Sequence, residues 1–176
     1  MVEIIRAKST HLQTIHDLAH VIWPDAFKDI LSPEQISYML DLMYSTNELQ
    51  GLLEKEKHQF SLAFDNKVPV GFALHHPKEA CFSIYRLSKI YIHPSKKGKG
   101  IGKEMIDYIV RDVVLQGASI LELNVNKYNQ AVGFYKKLGF NITGEEDIDI
   151  GGGYYMNDYI MQLPLKFFNT PVDEFA

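Results

Sequence analysis

In the first third of the chain, hydrophobic residues recur every three or four positions, the period of a helix with one buried face. This pattern predicts a helix over residues 10–22, after a short strand at 2–7. The sequence WPDAFKDILSPEQ that follows contains two prolines, so we expect it to interrupt the helix. A second helix is predicted from Pro33, which follows a serine cap, and a third over residues 46–56.

After residue 58 the pattern changes to extended segments that alternate with two further helices. The predicted elements are a hairpin that turns at 65–67, a strand at 80–94, a helix from 101 to about 116, a strand at 119–125, a helix at 129–138 and two strands around 151–153. Neither a repeat nor a linker interrupts this order. The sequence therefore predicts one mixed α/β domain over residues 1–166, with a C-terminal tail at 167–176.

Composition and charge exclude some classes of protein. The 176 residues are 46% hydrophobic and 23% charged, with a net charge of −4, which is ordinary for a globular chain and argues against a nucleic-acid binder. The one cysteine, Cys81, permits no intrachain disulfide. No signal peptide or membrane-spanning run is recognisable, so we expect a cytoplasmic protein without membrane or nucleic-acid partners. His16 and His20 lack a third ligand at metal spacing, so no metal site is expected.

A basic, glycine-rich stretch follows the strand predicted at 80–94. Gly98, Gly100 and Gly102 are interleaved with lysines just before a helix. The spacing fits neither the P-loop nor the dinucleotide fingerprint. A helix N-terminus whose loop exposes backbone N–H groups is nevertheless an anion site suited to phosphate. A solvated lysine turn is the alternative that the loop alone leaves open.

A second motif distinguishes these alternatives. In NVNKYNQAVGFYKKLGF, the residues Asn129, Ala131, Phe134-Tyr135 and Leu138-Gly139-Phe140 stand at fixed intervals. Together with LSKIYIHPSKKGKGIGKEMID, this stretch resembles the GNAT superfamily, the acetyl-CoA-dependent N-acetyltransferases. The resemblance covers about residues 2–165. It implies a central, mostly antiparallel, twisted sheet of about seven strands, splayed around the cofactor, with helices on both faces.

The resemblance also implies which residues bind acetyl-CoA. The backbone of Ile90 to Ile92 would pair with the pantetheine arm, and the amides of Lys97 to Lys103 would hold the pyrophosphate. The full set of expected cofactor contacts is Ile90, Tyr91, Ile92, Lys97, Gly98, Lys99, Gly100, Ile101, Gly102, Lys103, Asn124, Asn129, Ala131, Tyr135 and Lys137. Gly133 lies inside a predicted helix, where either cofactor approach or tight helix packing would explain a glycine.

Acyl transfer to an amine requires acid and base chemistry. An alkyl amine with a pKa of about 10.4 is protonated at pH 7, and forming the neutral nucleophile costs about 4–5 kcal/mol. Tyr135 stands at the position of the family's usual acid, which protonates the departing thiolate. Many relatives carry a glutamate base where this chain has Ser88. Glu122 is the substitute that we expect, and Tyr85 or His75 could act through water.

The acceptor is less strongly specified than the cofactor. Trp23, Asp25 and Phe27 would suit a cationic amine through cation–π and charge contacts, with His75 and Tyr85 as further acceptor-side residues. The stretch IWPDAFKDILSPEQISYML is similar to the bacterial spermidine/spermine N-acetyltransferase branch, which implies a polyamine acceptor. Protein or peptide amines, another small amine, and a non-catalytic CoA-binding regulator remain alternatives. Relatives commonly form dimers, so the resemblance is compatible with a homodimer.

Overall fold

In residues 1–165, the part of the chain that the structure describes, seven strands and five α-helices follow one another in the predicted order. The structure is a computed structural model, and the tail predicted at 167–176 lies outside the described residues. The strands are β1 (Val2–Arg6), β2 (Gln59–Asp65), β3 (Val68–Lys78), β4 (Cys81–Ile92), β5 (Ile120–Asn126), β6 (Asn141–Gly151) and β7 (Tyr154–Pro164). The helices are α1 (Leu12–Phe27), α2 (Pro33–Tyr44), α3 (Thr46–Glu54), α4 (Ile101–Leu115) and α5 (Ala131–Lys137). None of these helices is both long and apolar enough to cross a membrane.

The strands form one sheet in the order β1-β2-β3-β4-β5-β7-β6. Its neighbouring strands are antiparallel except β4 and β5, which are parallel. These two strands pair only where Ile84–Arg86 faces Ile120–Glu122. Beyond that point β4 continues to Ile92 and β5 to Asn126 without a ladder between them. The predicted sheet is therefore confirmed, and a gap separates its two central strands.

Helices cover both faces of the sheet because side chains alternate along each strand. The helices α1, α2 and α3 pack on the face that presents Phe72 and Leu74 of β3. The helix α4 packs on the opposite face, against Leu121 and Leu123 of β5, together with Tyr135 of α5. The gap between β4 and β5 therefore lies between two separate hydrophobic cores.

The helix α1 does not end where the sequence predicts. It continues from residue 22 through Pro24 to Phe27. A proline inside a helix removes one backbone hydrogen bond and costs about 3 kcal/mol. Trp23 and Phe27 are only 1% and 5% exposed, and burying a large side chain contributes roughly 1.5–3 kcal/mol. The two aromatic residues thus offset the proline, and the end of α1 reaches the central gap.

The hairpin of β6 and β7 is anchored to α2. The Tyr38 hydroxyl donates to the carbonyl of Ile150 at 3.0 Å, and the Tyr38 ring packs on Tyr154 at 5.3 Å. Gly151 at the turn has a positive φ of 84°, and a Cβ there would lie 2.8 Å from the Tyr38 hydroxyl oxygen. Glycine is therefore required at this turn. The anchor fixes the position of β7 beside the gap.

Candidate active site

The gap between β4 and β5 opens into a cavity of about 740 Å³, within the usual range for small-molecule sites. Its walls come from the end of α1, β4, the glycine loop, β5, α5 and β7. The predicted cofactor residues in these walls are Ile90, Tyr91, Ile92, Lys97, Gly98, Gly100, Ile101, Gly102, Lys103, Asn124, Asn129, Ala131 and Tyr135. Lys99 and Lys137 are exposed and do not belong to the walls.

The glycine loop presents free backbone amides to this cavity. Gly98 and Gly100 have φ values of 76° and 81°, a conformation that other residues rarely adopt. Gly100 caps α4, and the first hydrogen bond of that helix runs from the Glu104 amide to the Gly100 carbonyl at 3.1 Å. The amides before Glu104 in the first turn consequently lack an intrahelical acceptor. The loop and the helix N-terminus therefore have the backbone geometry that the prediction of an anion cradle requires.

An ion pair joins the glycine loop to α1. Lys97 Nζ lies 3.0 Å from Asp25 Oδ2, and Lys28 lies 3.5 Å from the same carboxylate. The hydrogen bond and charge of Lys97 lower the pKa of Asp25. Asp25 and Phe27 both line the cavity, as the acceptor prediction requires.

Trp23, by contrast, does not reach the cavity. It is 1% exposed and packs its ring 4.4 Å from Phe27 and 5.6 Å from Tyr91. The prediction that Trp23 contacts substrate is therefore wrong. Its position on the inner side of α1 makes it a support for two aromatic residues of the cavity wall.

Tyr135 is buried in the wall at 7% exposure. Its ring packs between Phe134 and Phe140, at 5.3 and 5.6 Å. Burial raises the pKa of the Tyr135 phenol well above its usual range, so the hydroxyl keeps its proton at neutral pH. A protonated hydroxyl in the cavity can donate a proton there.

His75 and Tyr85 lie on the other side of the sheet. Alternation along β3 turns His75 away from Leu74 and toward α4, where its Nε2 lies 2.7 Å from Asp112. The Tyr85 hydroxyl donates at 2.8 Å to the side chain of Gln116, the residue that follows α4. Neither side chain lines the cavity. The prediction of acceptor contacts by these two residues is therefore wrong.

Glu122 is likewise held outside the cavity. It is 2% exposed, and it accepts hydrogen bonds from Lys78 at 3.0 Å and from Gln162 at 2.7 Å, with Arg86 at 3.8 Å. Burial alone would raise the pKa of Glu122, but the hydrogen bonds from Gln162 and Lys78 lower it overall. A carboxylate with three cationic or amide partners is a poor proton acceptor, so the expectation of Glu122 as the base is corrected.

Asp158 of β7 is a further carboxylate of the cavity wall, and the sequence analysis does not predict it. The residue is 1% exposed, and within residues 1–165 its Oδ1 has no hydrogen-bond partner. The available signal was alternation: Tyr154, Met156 and Asp158 stand at every second position, so they share one face of β7. A charged residue on the inward face of a strand is unusual and indicates a functional position.

The surroundings of Asp158 weaken its acidity. Burial raises the pKa of Asp158 to about 6, against 3.8 for an ordinary aspartate. Asn124 and Arg86 act against this rise, while the negative charges of Glu146 and Asp147 on β6 add to it. Tyr91 lies near both Asp158 and Tyr135. Burial raises the pKa of Tyr91, and the charges of Tyr135 and Asp158 raise it further. Asp158 and Tyr135 therefore both act on the electrostatics of Tyr91 in the cavity wall.

Comparison with known proteins matches this architecture. Residues 27–152 fit the family model of the acetyltransferase (GNAT) domain. The chain belongs to the GNAT acetyltransferase family. This GNAT chain is 33% identical to YjaB of Escherichia coli, a peptidyl-lysine N-acetyltransferase. The match covers 74% of this chain and 77% of YjaB. YjaB of Salmonella typhimurium is 38% identical over 52% of the chain and 55% of that relative.

A solved GNAT structure shares the fold over nearly the whole chain. The PaiA N-acetyltransferase of Thermoplasma acidophilum, in complex with coenzyme A, superimposes with a TM-score of 0.80 at 24% identity, covering 93% of this chain and 99% of that one. Family membership confirms the expectation of an acyltransferase that uses acetyl-CoA. The spermidine/spermine branch stays a prediction, because the curated relatives above are peptidyl-lysine acetyltransferases.

Proposed function

We propose that this GNAT chain transfers the acetyl group of acetyl-CoA directly to a primary alkyl amine, and that the acceptor is a lysine side chain in a peptide. The observation that carries the proposal is a single cavity in which an anion cradle, a buried protonated tyrosine and carboxylates for a cationic acceptor meet. The peptide acceptor is suggested by the names of the two YjaB relatives.

The glycine loop and β4 would hold the donor. Free amides of the loop and of the first turn of α4 would bind the pyrophosphate, and the β4 edge at Ile90–Ile92, which has no ladder to β5, would pair with the pantetheine arm. Asn129 Oδ1 already accepts from the Ala131 amide at 2.9 Å, which leaves its side-chain NH₂ group for the cofactor. Acetyl-CoA supplies the activated acyl carbon.

Tyr135 would act as the acid. Its hydroxyl would donate a proton to the sulfur as the carbon–sulfur bond breaks, a role worth roughly 10²–10⁴-fold in rate. Because burial keeps the phenol protonated, the proton is available throughout the neutral pH range.

The acceptor side suits an alkyl chain that ends in an ammonium group. Phe27, Tyr91 and Met156 supply apolar wall for methylene groups, and Asp29 and Asp158 are carboxylates of the same cavity. The charge of Asp25 is already matched by Lys97 and Lys28. A lysine side chain offers this combination of groups. Spermidine, the expected polyamine, offers the same aminoalkyl end, so the acceptor side is compatible with either compound.

The decisive experiment measures thiol release from acetyl-CoA with the full chain. The acceptor is a lysine peptide, the control is the same peptide with norleucine in place of lysine, and spermidine is tested in parallel. We expect faster release with the lysine peptide than with spermidine and none with the norleucine peptide, together with a mass gain of one acetyl group on the lysine peptide. Faster release with spermidine would transfer the proposal to polyamines. Tight CoA binding without release to any amine would favour a CoA-binding regulator.

A further inference from the structure

We propose that Asp158 is a catalytic residue, the carboxylate that receives the acceptor's ammonium group and removes its proton before attack. The inference rests on the proposed function and extends it, because it assigns the base that the chain lacks at Ser88. In the structure the Ser88 hydroxyl only donates a weak hydrogen bond to the Leu74 carbonyl at 3.4 Å. A hydroxyl of this kind does not accept a proton from an ammonium group.

The burial of Asp158 is only partly compensated in the described residues, because Asn124 and the charge of Arg86 favour its ionised form while Oδ1 accepts no hydrogen bond. A buried carboxylate is normally paired with a cation or saturated with hydrogen bonds, as Glu122 is through Lys78 and Gln162. Asp158 is as deeply buried as Glu122, yet its Oδ1 has no hydrogen-bond partner within residues 1–165. An ammonium group in the cavity would donate a hydrogen bond to Oδ1, so this buried carboxylate oxygen indicates a cationic ligand.

The position of Asp158 matches the side from which an amine would approach. Asp158 shares the inward face of β7 with Met156, and both line the cavity together with Phe27 and Tyr91. These neighbours belong to the acceptor side, whereas the pyrophosphate cradle lies at the loop before α4. The carboxylate therefore lies in the same wall as apolar side chains, a combination that suits an alkyl chain ending in a charged nitrogen.

The groups around Asp158 make it a better base than an ordinary aspartate. Burial raises its pKa to about 6; Asn124 of β5 and Arg86 of β4 oppose the rise, and Glu146 and Asp147 of β6 support it. A general base is most effective when its pKa lies near the working pH. At pH 7 most Asp158 side chains would be ionised, so the group is ready to accept a proton.

In the proposed transfer, Asp158 and Tyr135 each carry one proton. The ammonium nitrogen gives one proton to Asp158, and its lone pair then forms the carbon–nitrogen bond to the thioester carbonyl carbon. As the carbon–sulfur bond breaks, Tyr135 gives its proton to the sulfur and regains one from the acylated nitrogen. Asp158 releases its proton to solvent, and the products are an amide, a thiol and one proton.

The first test compares wild-type protein with Asp158→Asn and with Asp41→Asn, a matched control that removes an exposed carboxylate of α2 outside the cavity wall. We expect Asp158→Asn to lower kcat/KM for the lysine peptide by roughly 10²–10⁴-fold and to abolish an acidic limb near pH 6, with CoA affinity retained. Asp41→Asn should retain the limb. Wild-type activity and an unchanged pH profile in Asp158→Asn would overturn the proposal.

The second test does not depend on turnover. In protein labelled with ¹³C-aspartate and saturated with CoA, the Asp158 carboxyl is assigned by its loss in Asp158→Asn, and its pKa is measured with and without butylamine. We expect the amine to lower that pKa, because a nearby cation favours the ionised carboxylate. An unchanged Asp158 titration at saturating amine would overturn the proposal. If no amine is acetylated but the titration responds, the proposed function fails and the amine site stands.

Discussion

Replacing Asp158 by asparagine should make the protein more stable at neutral pH, although the residue lies in the active-site cavity. In the folded chain the pKa of Asp158 is about 6, compared with 3.8 for an ordinary aspartate. The difference is about two units, and each unit corresponds to about 1.36 kcal/mol. Ionised Asp158 therefore lowers the free energy of unfolding by about 3 kcal/mol, a penalty that a neutral asparagine of similar shape does not have.

The pH dependence has a definite sign. Between about pH 4 and pH 6 the folded protein holds the Asp158 proton and the unfolded chain does not, so this group makes stability fall as the pH rises. Below pH 3.8 both states are protonated and the penalty is absent. Above pH 6 it is fully present. The stability of Asp158→Asn relative to wild type should thus increase from pH 4 to pH 7 and then stay constant.

The assay is urea unfolding at pH 4.5, 6 and 8, followed through the fluorescence of Trp23, the one tryptophan of the chain. Glu122→Gln is the matched control with the opposite sign. Because hydrogen-bonded partners lower the pKa of Glu122, its charge stabilises the fold above the unfolded pKa, and its loss should destabilise the protein at pH 8. A pH-independent difference for Asp158→Asn, or a loss of stability that grows toward pH 8, would refute the reasoning.

Three further substitutions test the rest of the site. Gly100→Asp should abolish CoA binding in calorimetry, because it places a side chain at φ 81° and a negative charge in the anion cradle; retained affinity would contradict the cradle. Tyr135→Phe should lower kcat by roughly 10²–10⁴-fold with unchanged CoA affinity, and unaltered turnover would remove the hydroxyl from the mechanism. Gly133→Ala should raise the free energy of unfolding by up to about 1 kcal/mol, because nothing lies within 4 Å of the added Cβ. A loss of CoA affinity in Gly133→Ala would instead indicate close approach of the cofactor.

The fold and the conformation of the glycine loop could be predicted because their signals are local. A strand, a glycine turn and a helix start lie within twenty residues, and the positive φ values of Gly98 and Gly100 explain why glycine stands there. The predicted end of α1 differs from the observed one because a proline such as Pro24 usually stops a helix. The aromatic residues Trp23 and Phe27, four apart, continue the helical period through the proline and outweigh it.

The base and the acceptor wall could not be predicted from local signals. Glu122 resembles a free strand carboxylate in sequence, but its partners Lys78 and Gln162 are 44 and 40 residues away along the chain. His75 was expected near the acceptor, and one step of strand alternation turns it to α4 instead. Whether a carboxylate is paired or free depends on which strands are neighbours, and this information is not contained in any short motif.

The topology explains how the carboxylate can come from β7 when β4 carries serine. Ser88 lies just past Arg86, where the ladder between β4 and β5 ends, and Asp158 pairs in register with Asn126 at the end of β5. Both positions therefore line the same cavity, one from each side of the gap. Proton removal requires one unpaired carboxylate near the amine, and it does not require a particular strand. Asp158 is buried in the cavity wall, and among residues 1–165 one of its oxygens has no hydrogen-bond partner, so β7 can supply the group that β4 lacks.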